Sequence, residues 1–189
     1  MKTGKLYRIA GPVAVAELEA KMFDIVQVGE EKLLGEVIQI NDEKCTIQIY
    51  EDTTGLKPGD KVVNTEQPLS VELGPGMLSS IYDGIQRPLS ELQKQMGDFI
   101  MRGATAPGID HDKKWDFKAT AKQGSSVSSG QAIGEVMEAQ ITHKIMIPPN
   151  MGGKISEIKS GTFTVDEIVC KLDSGDEVKL VHKWPVRLP

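Results

Sequence analysis

The chain has 189 residues, of which 39% are hydrophobic and 26% charged, and its formal net charge is −5. This length allows one large domain or two small ones, and the composition is typical of a globular protein. An acidic balance without a block of Lys or Arg argues against nucleic acid or an anionic membrane as a direct partner. No apolar run approaches the roughly 20 residues that span a bilayer, and the first residues, MKTGKLYRIAGP, lack a signal-peptide core. We therefore expect a cytoplasmic protein without direct membrane insertion.

The first block, residues 1–73, reads as a series of short β-strands. Its Val- and Ile-rich segments are bounded by Gly, Pro, Asn or Asp, in the order KLYRIAG, PVAVAEL, MFDIVQVG, LLGEVIQI and KCTIQIYED. Asn41, Asp42 and Glu43 predict a hairpin turn, since Asn and Asp tolerate the left-handed backbone of a tight reversal. Regular turns without a long helix favour a small antiparallel β-barrel, closed or nearly closed.

The next segment, residues 74–102, predicts a broken helical connector. Apolar residues recur every three or four positions and so fall on one helix face: Leu78, Ile81, Ile85, Leu89, Leu92 and Met96. Gly84 and Pro88 interrupt that periodicity, so we expect two short helices, with Pro88 near the first turn of the second. Gly74-Pro75-Gly76 predicts a fixed, sharp entry from the last barrel strand. The methionines around the helices, Met77, Met96 and Met101, are interpreted as core residues.

Residues 103–189 predict a second β-rich domain. A loop-like stretch, GATAPGIDHDKKW, leads into six predicted strands: KWDFKATA, QAIGEV, THKIMIPP, GGKISEIK, GTFTVDEIVCKL and EVKLVHKW. Asp173 to Asp176 predict a hairpin between the last two, with Gly175 free to take a positive φ. The two cysteines, Cys45 and Cys170, lie far apart in strand-like stretches, so we expect buried, reduced thiols.

Several long motifs resemble one known family. LGPGMLSSIYDGIQRPL, GKLYRIAGPVAVAE, LLGEVIQI, YEDTTGLKPGDKVVNTEQPLSVELGPG, EVMEAQITHKIMIPPNMGGKI and the terminal HKWPVRLP are similar to the catalytic A subunit of V-type and archaeal A-type rotary ATPases. The motifs occur in the same order and cover essentially the whole chain, but they match only the front part of that subunit. The resemblance implies an N-terminal barrel followed by the inserted bulge, or non-homologous region, with a barrel-sandwich-like fold.

The resemblance also implies partners and a function. In that family the barrels of neighbouring A and B subunits close a ring at the top of a hexamer, and the bulge contacts peripheral stalk subunits. We therefore expect a structural part of a proton- or sodium-translocating ATPase or ATP synthase, cytoplasmic and peripheral at the membrane in the assembled complex. ATP and Mg²⁺ are expected only in the full subunit. The expected segments are a barrel at 1–73, a connector at 74–102 and a bulge at 103–189.

A phosphate-binding loop is not expected within these residues. The pattern G-x-x-x-x-G-K-[ST] needs glycines for close backbone approach, a lysine for the phosphate charge and a hydroxyl for magnesium. The nearest match ends at Gly153-Lys154, but Pro148 stands at the first glycine position and Ile155 at the hydroxyl position. In the resembled family the true loop lies beyond the segment that HKWPVRLP opens, so the chain is expected to stop before it and not to hydrolyse ATP alone.

Two alternatives remain open at this stage, a biotinyl or lipoyl carrier and a free-standing β binding module. GSSVSSGQAIGEVMEAQ and IPPNMGGKISEI are similar to carrier domains, which present a modified lysine on a hairpin after Glu-Ala. Here Glu138-Ala139 is followed by Gln140 and Ile141, so isoleucine occupies the expected lysine position. Lys144 lies three residues further on, in a strand-like run. The carrier fold is therefore plausible while the carrier activity is not favoured.

No catalytic, cofactor-binding or metal-binding residue is predicted. Asp110-His111-Asp112 contains good metal ligands, but adjacent ligands rarely converge on one ion from a loop, so a solvated turn is favoured. His111, His143 and His182 have no carboxylate or serine at a spacing that would build a nucleophilic triad.

Overall fold

The computed structural model describes residues 1–78 and 80–187 and divides into two compact units. Unit 1 contains Met1–Val71, Glu91–Ala106 and the chain from Pro185 onward; unit 2 contains Glu72–Ser90 and Pro107–Trp184. These units follow packing rather than chain order, so they differ from the segments 1–73, 74–102 and 103–189, which stay a prediction. Ser79, Leu188 and Pro189, which belong to the predicted connector and terminal motif, lie outside the described residues. Among those described, no helix combines the length and apolarity needed to cross a membrane.

Unit 1 is built on a closed antiparallel barrel, as predicted, and its six strands include one, at Lys61–Pro68, that is not among the five predicted segments. The strand order around the barrel is β1-β2-β5-β4-β3-β6. The strands are β1 (Thr3–Ala10), β2 (Val13–Glu17), β3 (Asp24–Val28), β4 (Leu33–Asn41), β5 (Lys44–Ile49) and β6 (Lys61–Pro68). The predicted turn between β4 and β5 is confirmed, with Asp42 at a φ of 52°.

The barrel encloses one hydrophobic cluster that the alternation of its strands produces. On β5, Cys45, Ile47 and Ile49 point inward, and β2 supplies Ala14 and Ala16 opposite them. Small residues fit the interior where strands approach closely. The cluster is completed from the other strands and loops by Leu6, Leu18, Val26, Val28, Leu33, Val37 and Val62.

The described residues of the connector contain one helix, so the prediction of two is wrong. α1 (Leu89–Met96) forms directly after Pro88 and buries Leu92, whereas the residues before Pro88 form turns. Leu78 and Ile81 are exposed instead of lying on a buried helix face, and Met101 is 64% exposed instead of in a core. Met77, in contrast, packs against the core of unit 2.

A side-chain-capped turn explains why the first predicted helix does not form. Asp83 Oδ1 accepts hydrogen bonds from the backbone N–H groups of Ile85 and Arg87, and its Oδ2 accepts one from Arg87 Nε at 2.6 Å. Gln86 adopts a left-handed φ of 63°, and Leu89 N donates to Ile81 O at 2.9 Å. These local bonds offer the backbone an alternative to helix, as short acidic side chains often do.

Unit 2 contains two four-stranded sheets whose inner faces share one core. The sheet orders are β11-β10-β8-β13 and β15-β14-β12-β9. The strands are β8 (Trp115–Ala119), β9 (Ser126–Val127), β10 (Ala132–Glu138), β11 (Ile141–Met146), β12 (Gly153–Ile158), β13 (Gly161–Phe163), β14 (Ile168–Leu172) and β15 (Glu177–Lys179). The shared cluster includes Phe117, Ile133 and Val136 from one sheet and Ile155 and Leu172 from the other. The expectation of a second, β-rich domain is confirmed.

Two further strands each contain residues of both units. β7 (Ser70–Leu73) pairs with β16 (His182–Pro185) in a two-stranded sheet. The predicted strand GTFTVDEIVCKL is divided into β13 and β14, because Thr164 N bonds to Glu167 Oε2 at 2.6 Å in an intervening turn. EVKLVHKW is likewise divided into β15 and β16, and β9 was not predicted. Both cysteines are buried and free, as expected.

Candidate functional site

The outer wall of the barrel exposes large apolar side chains on two strands. Tyr7 on β1 is 56% exposed and Ile38 on β4 is 37% exposed. β1 and β4 stand three positions apart in the ring of six strands, whichever way the ring is followed. The barrel therefore carries apolar surface on two opposite strands.

A cluster of five residues in unit 1 holds residues 102–103 against the barrel. We call this cluster the connector clamp, and it consists of Arg102, Gly103, Glu31, Glu51 and Thr54. Arg102 donates through Nη1 to the carbonyl of Thr54 and pairs through Nη2 with Glu31 Oε2 at 3.0 Å. Gly103 N donates to Glu51 Oε2 at 2.6 Å. Gly103 has a φ of 69°, and a Cβ there would lie 1.9 Å from Glu31 O. Only glycine fits this position without moving the backbone.

A buried carboxylate holds the last described residues against the barrel. Glu36 on β4 is 1% exposed, and Arg187 binds it with two hydrogen bonds, from Nε at 3.0 Å and from Nη2 at 2.8 Å. Burial, with the charge of Glu36 next in importance, raises the pKa of the neighbouring Tyr50 phenol. Val186 N also donates to Leu69 O at 2.8 Å. A forked guanidinium matches a carboxylate in this two-bond geometry, so the chain returns to unit 1 at a defined point.

A second buried carboxylate organises the glycine-rich loop of unit 2. Glu138, 4% exposed at the end of β10, accepts hydrogen bonds on Oε1 from Gly76 N at 2.7 Å and Leu78 N at 3.0 Å. Its Oε2 lies 3.1 Å from His143 Nδ1. Gly74 and Pro75 are buried in the same loop. The predicted fixed entry at Gly74-Pro75-Gly76 thus depends on one distant side chain.

His111 lies between two carboxylates of unit 2 rather than in a freely solvated turn. Its Nδ1 is 2.6 Å from Asp166 Oδ2, and its Nε2 is 3.1 Å from Glu72 Oε2, while Lys183 Nζ lies 4.0 Å from the other oxygen of Glu72. The hydrogen bond to Asp166, followed by that to Glu72, raises the pKa of the imidazole above its usual value. No group of three or more His, Cys, Asp or Glu that could hold a metal ion is found among residues 1–78 and 80–187.

The raised pKa of His111 makes the stability of unit 2 pH-dependent. A group whose pKa is higher in the folded state stabilises fully below its unfolded pKa, and the contribution is lost as pH rises through the folded pKa. We expect the free-energy difference of unfolding between the parent chain and His111→Gln to be larger at pH 6 than at pH 9. Urea denaturation followed by tryptophan fluorescence measures it, since Trp115 and Trp184 both lie in unit 2. A difference independent of pH would contradict the assignment.

The other residues considered from the sequence lie in strands and turns. Gly153 opens β12, with Lys154 paired to Ser126 of β9, so the stretch is a sheet strand rather than a loop before a helix. The turn between β10 and β11 is Ala139-Gln140, while Lys144 is paired with Glu135 inside the sheet. This geometry does not favour the carrier alternative, because the lysine is not on the hairpin turn.

Sequence reasoning missed Glu36, Glu138 and Arg187. Both glutamates occupy strands rich in apolar residues, in LLGEVIQI and AIGEVME, where a charged residue breaks the apolar pattern. Buried carboxylates are nearly always paired or hydrogen-bonded, so such a break is a signal that a partner exists. It does not tell which residue the partner is.

Both compact regions match family models. The model described as "ATP synthase alpha/beta family, beta-barrel domain" matches residues 6–66, and that of the barrel-sandwich domain of the ATP synthase alpha/beta subunit matches residues 106–187. The fold described above agrees with both descriptions, a closed barrel followed by a two-sheet unit. The chain therefore belongs to the ATP synthase alpha/beta family.

Within this family the similarity is to the A subunit of A-type ATP synthases. The chain is 61% identical over 188 residues to the first A subunit of the A-type ATP synthase of Methanospirillum hungatei, in an alignment that covers 98% of this chain and 32% of that protein. It is 57% identical to the corresponding protein of Methanocorpusculum labreanum, over 100% of this chain and 33% of that protein. The chain thus corresponds to the N-terminal region of the archaeal A subunit, confirming the resemblance, and spans about a third of the length of these relatives.

One solved structure shows a weaker similarity. The assembled ATPase EscN of the enteropathogenic E. coli type III secretion system is 26% identical, with a TM-score of 0.43, over 45% of this chain and 21% of that chain.

Proposed function

We propose that this chain serves as the structural N-terminal part of the catalytic A subunit of a proton- or sodium-translocating A-type ATP synthase, and that its barrel joins neighbouring B subunits into the head ring. The observation that supports this is the apolar surface on two opposite barrel strands. In a ring of alternating subunits each barrel meets a neighbour on two sides, and the two contacts use different faces. A barrel with apolar residues on both β1 and β4 fits that requirement.

The bulge would contribute a side surface for the peripheral stalk. The β10–β11 hairpin exposes Met137, Ile141 and Met146 at 62%, 56% and 49%, and β11 is the edge strand of its sheet. Met137 and Met146 lie on the outer face of the hairpin, since their paired residues, Thr142 and Ala132, are exposed. Exposed apolar residues on an edge hairpin can serve a protein contact. In the assembled complex the chain would lie on the cytoplasmic side, peripheral at the membrane. ATP and Mg²⁺ would bind elsewhere in the full subunit.

The ring proposal is tested by charge substitutions on the barrel wall. Tyr7→Glu and Ile38→Glu each place a carboxylate on one apolar strand, and burying an unpaired charge in a contact is costly. Native mass spectrometry of the full-length protein co-expressed with its B subunits should show loss of the closed ring for either variant. Open assemblies should remain, because each variant leaves the other contact face unchanged.

Gln131→Glu provides the control. It adds the same charge at an exposed position of unit 2, outside the barrel, and keeps the side-chain oxygen that accepts from Ser128 N. We expect the ring to form with this variant. Normal rings with both Tyr7→Glu and Ile38→Glu would reject the proposed contact faces.

A further inference from the structure

Three consecutive large apolar residues of unit 1 are exposed. Phe99, Ile100 and Met101, which follow α1, are 85%, 51% and 64% exposed; we call them the 99–101 segment. Single exposed apolar side chains are ordinary, but a contiguous apolar patch on a folded surface usually marks a contact. This segment plays no part in the barrel core.

The backbone around the 99–101 segment is held on both sides. α1 precedes it and buries Leu92, and the connector clamp begins at the next residue, Arg102. A Cβ at Gly103 would lie 1.9 Å from Glu31 O, so the backbone of the clamp lies directly against the loop before β4. The apolar side chains are therefore joined to packed structure at both ends, which lowers the entropic cost of ordering them in a contact.

The connector clamp and residues 186–187 are bound at the same end of the β4–β5 pair. The barrel residues of the clamp lie just before β4 and just after β5, while Arg187 binds Glu36 in the first half of β4, beside Tyr50 at the end of β5. Val186, next to Arg187, is 52% exposed. The apolar segment and the point where the chain continues past residue 187 thus share one region of unit 1.

We infer that the 99–101 segment is the docking surface for the part of the same polypeptide that follows residue 189 in the full-length protein. The inference rests on the proposed function and deepens it. The relatives are about three times as long as this chain, and Arg187, the last described residue, is bound in the same region of unit 1 as the segment. A covalently continuous domain is present there at high effective concentration, so an apolar surface of that domain covers the segment before another protein can.

Site-specific photo-crosslinking in the full-length protein tests the inference. A benzophenone amino acid replaces Phe99, and in a separate variant Ile81, which is 72% exposed and lies in unit 2. Irradiation in the absence of B subunits should join position 99 to peptides beyond residue 189, whereas position 81 should give no such product. Hydrogen exchange supplies a second measurement: Phe99→Glu should cause loss of amide protection in the peptides joined to position 99, and Ile81→Glu should not.

The possible outcomes separate this inference from the function on which it rests. When the complete complex is irradiated, crosslinks from position 99 that reach only a B subunit, a stalk protein or a second copy overturn the inference and leave the ring function standing. Absence of any crosslink, with unchanged exchange in Phe99→Glu, also overturns it. If the gene encodes no residue after Pro189, both the proposed function and this inference are wrong.

Discussion

Replacing Arg187 with methionine is expected to loosen the barrel around Glu36. Methionine keeps much of the side-chain volume but donates no hydrogen bonds, so a carboxylate that is 1% exposed loses the two bonds that satisfy it. Removing one partner of such a pair costs more than the pair contributes, because the remaining buried group is left unsatisfied. We expect amide exchange in β4 and β5 to accelerate on the order of tenfold.

Two further variants control the Arg187 experiment. Glu36→Leu combined with Arg187→Met removes both charged groups, and the exchange rate should return toward that of the parent chain. Lys159→Met disrupts an exposed ion pair with Glu157 in unit 2 and should leave the barrel unchanged. If Arg187→Met exchanges like the parent, the ion pair does not anchor the returning chain.

The barrel was predictable because the residues that define each of its strands and turns are neighbours in the sequence. Strand alternation in PVAVAEL and KCTIQIY, with turn residues between segments, gives strands of the correct period, and such strands can close on each other into a barrel. The hairpins at Asp42 and Gly175 followed from residues that adopt positive φ. These features depend on neighbours in the sequence, so the sequence alone suffices to predict them.

The connector shows where periodicity was misleading. Leu78, Ile81 and Ile85 have helical spacing, but Asp83 bonds to the backbone of Ile85 and Arg87 and favours a turn. Met101 was interpreted as a core residue, yet it is exposed, as are its neighbours Phe99 and Ile100. An apolar residue indicates a contact without indicating whether that contact is within the chain or with something else.

The anchoring contacts could not be predicted because they join distant positions. Glu36 and Arg187 are 151 residues apart, and Glu138 binds a loop about 60 residues before it. Nothing in the local sequence of Arg187 identifies its partner, and nothing near Gly76 indicates that its N–H faces a carboxylate. Such pairs become visible only when the strands that carry them are placed in their sheets.

Replacing Glu138 with alanine is expected to destabilise unit 2 by about 3 kcal/mol. The carboxylate is nearly inaccessible to water and accepts from Gly76 N and Leu78 N, so its removal leaves two backbone donors without that acceptor. Glu138→Gln retains one side-chain oxygen for both donors but places an amide near His143, so about 1 kcal/mol is expected. Urea denaturation followed by fluorescence of Trp115 and Trp184 measures both values.

Glu135→Ala is the matched control, because Glu135 lies on the same strand with a more exposed side chain 3.4 Å from Lys118 Nζ. Its effect should stay within about 0.5 kcal/mol, as for an ordinary surface substitution. A stability ranking with Glu138→Ala lowest, Glu138→Gln intermediate and the parent chain highest follows only if the bonds to the loop carry the stabilisation. If Glu138→Ala and Glu138→Gln lower the free energy of unfolding equally, the stabilisation comes from the charge beside His143. The hydrogen bonds to the loop would then not be what stabilises it.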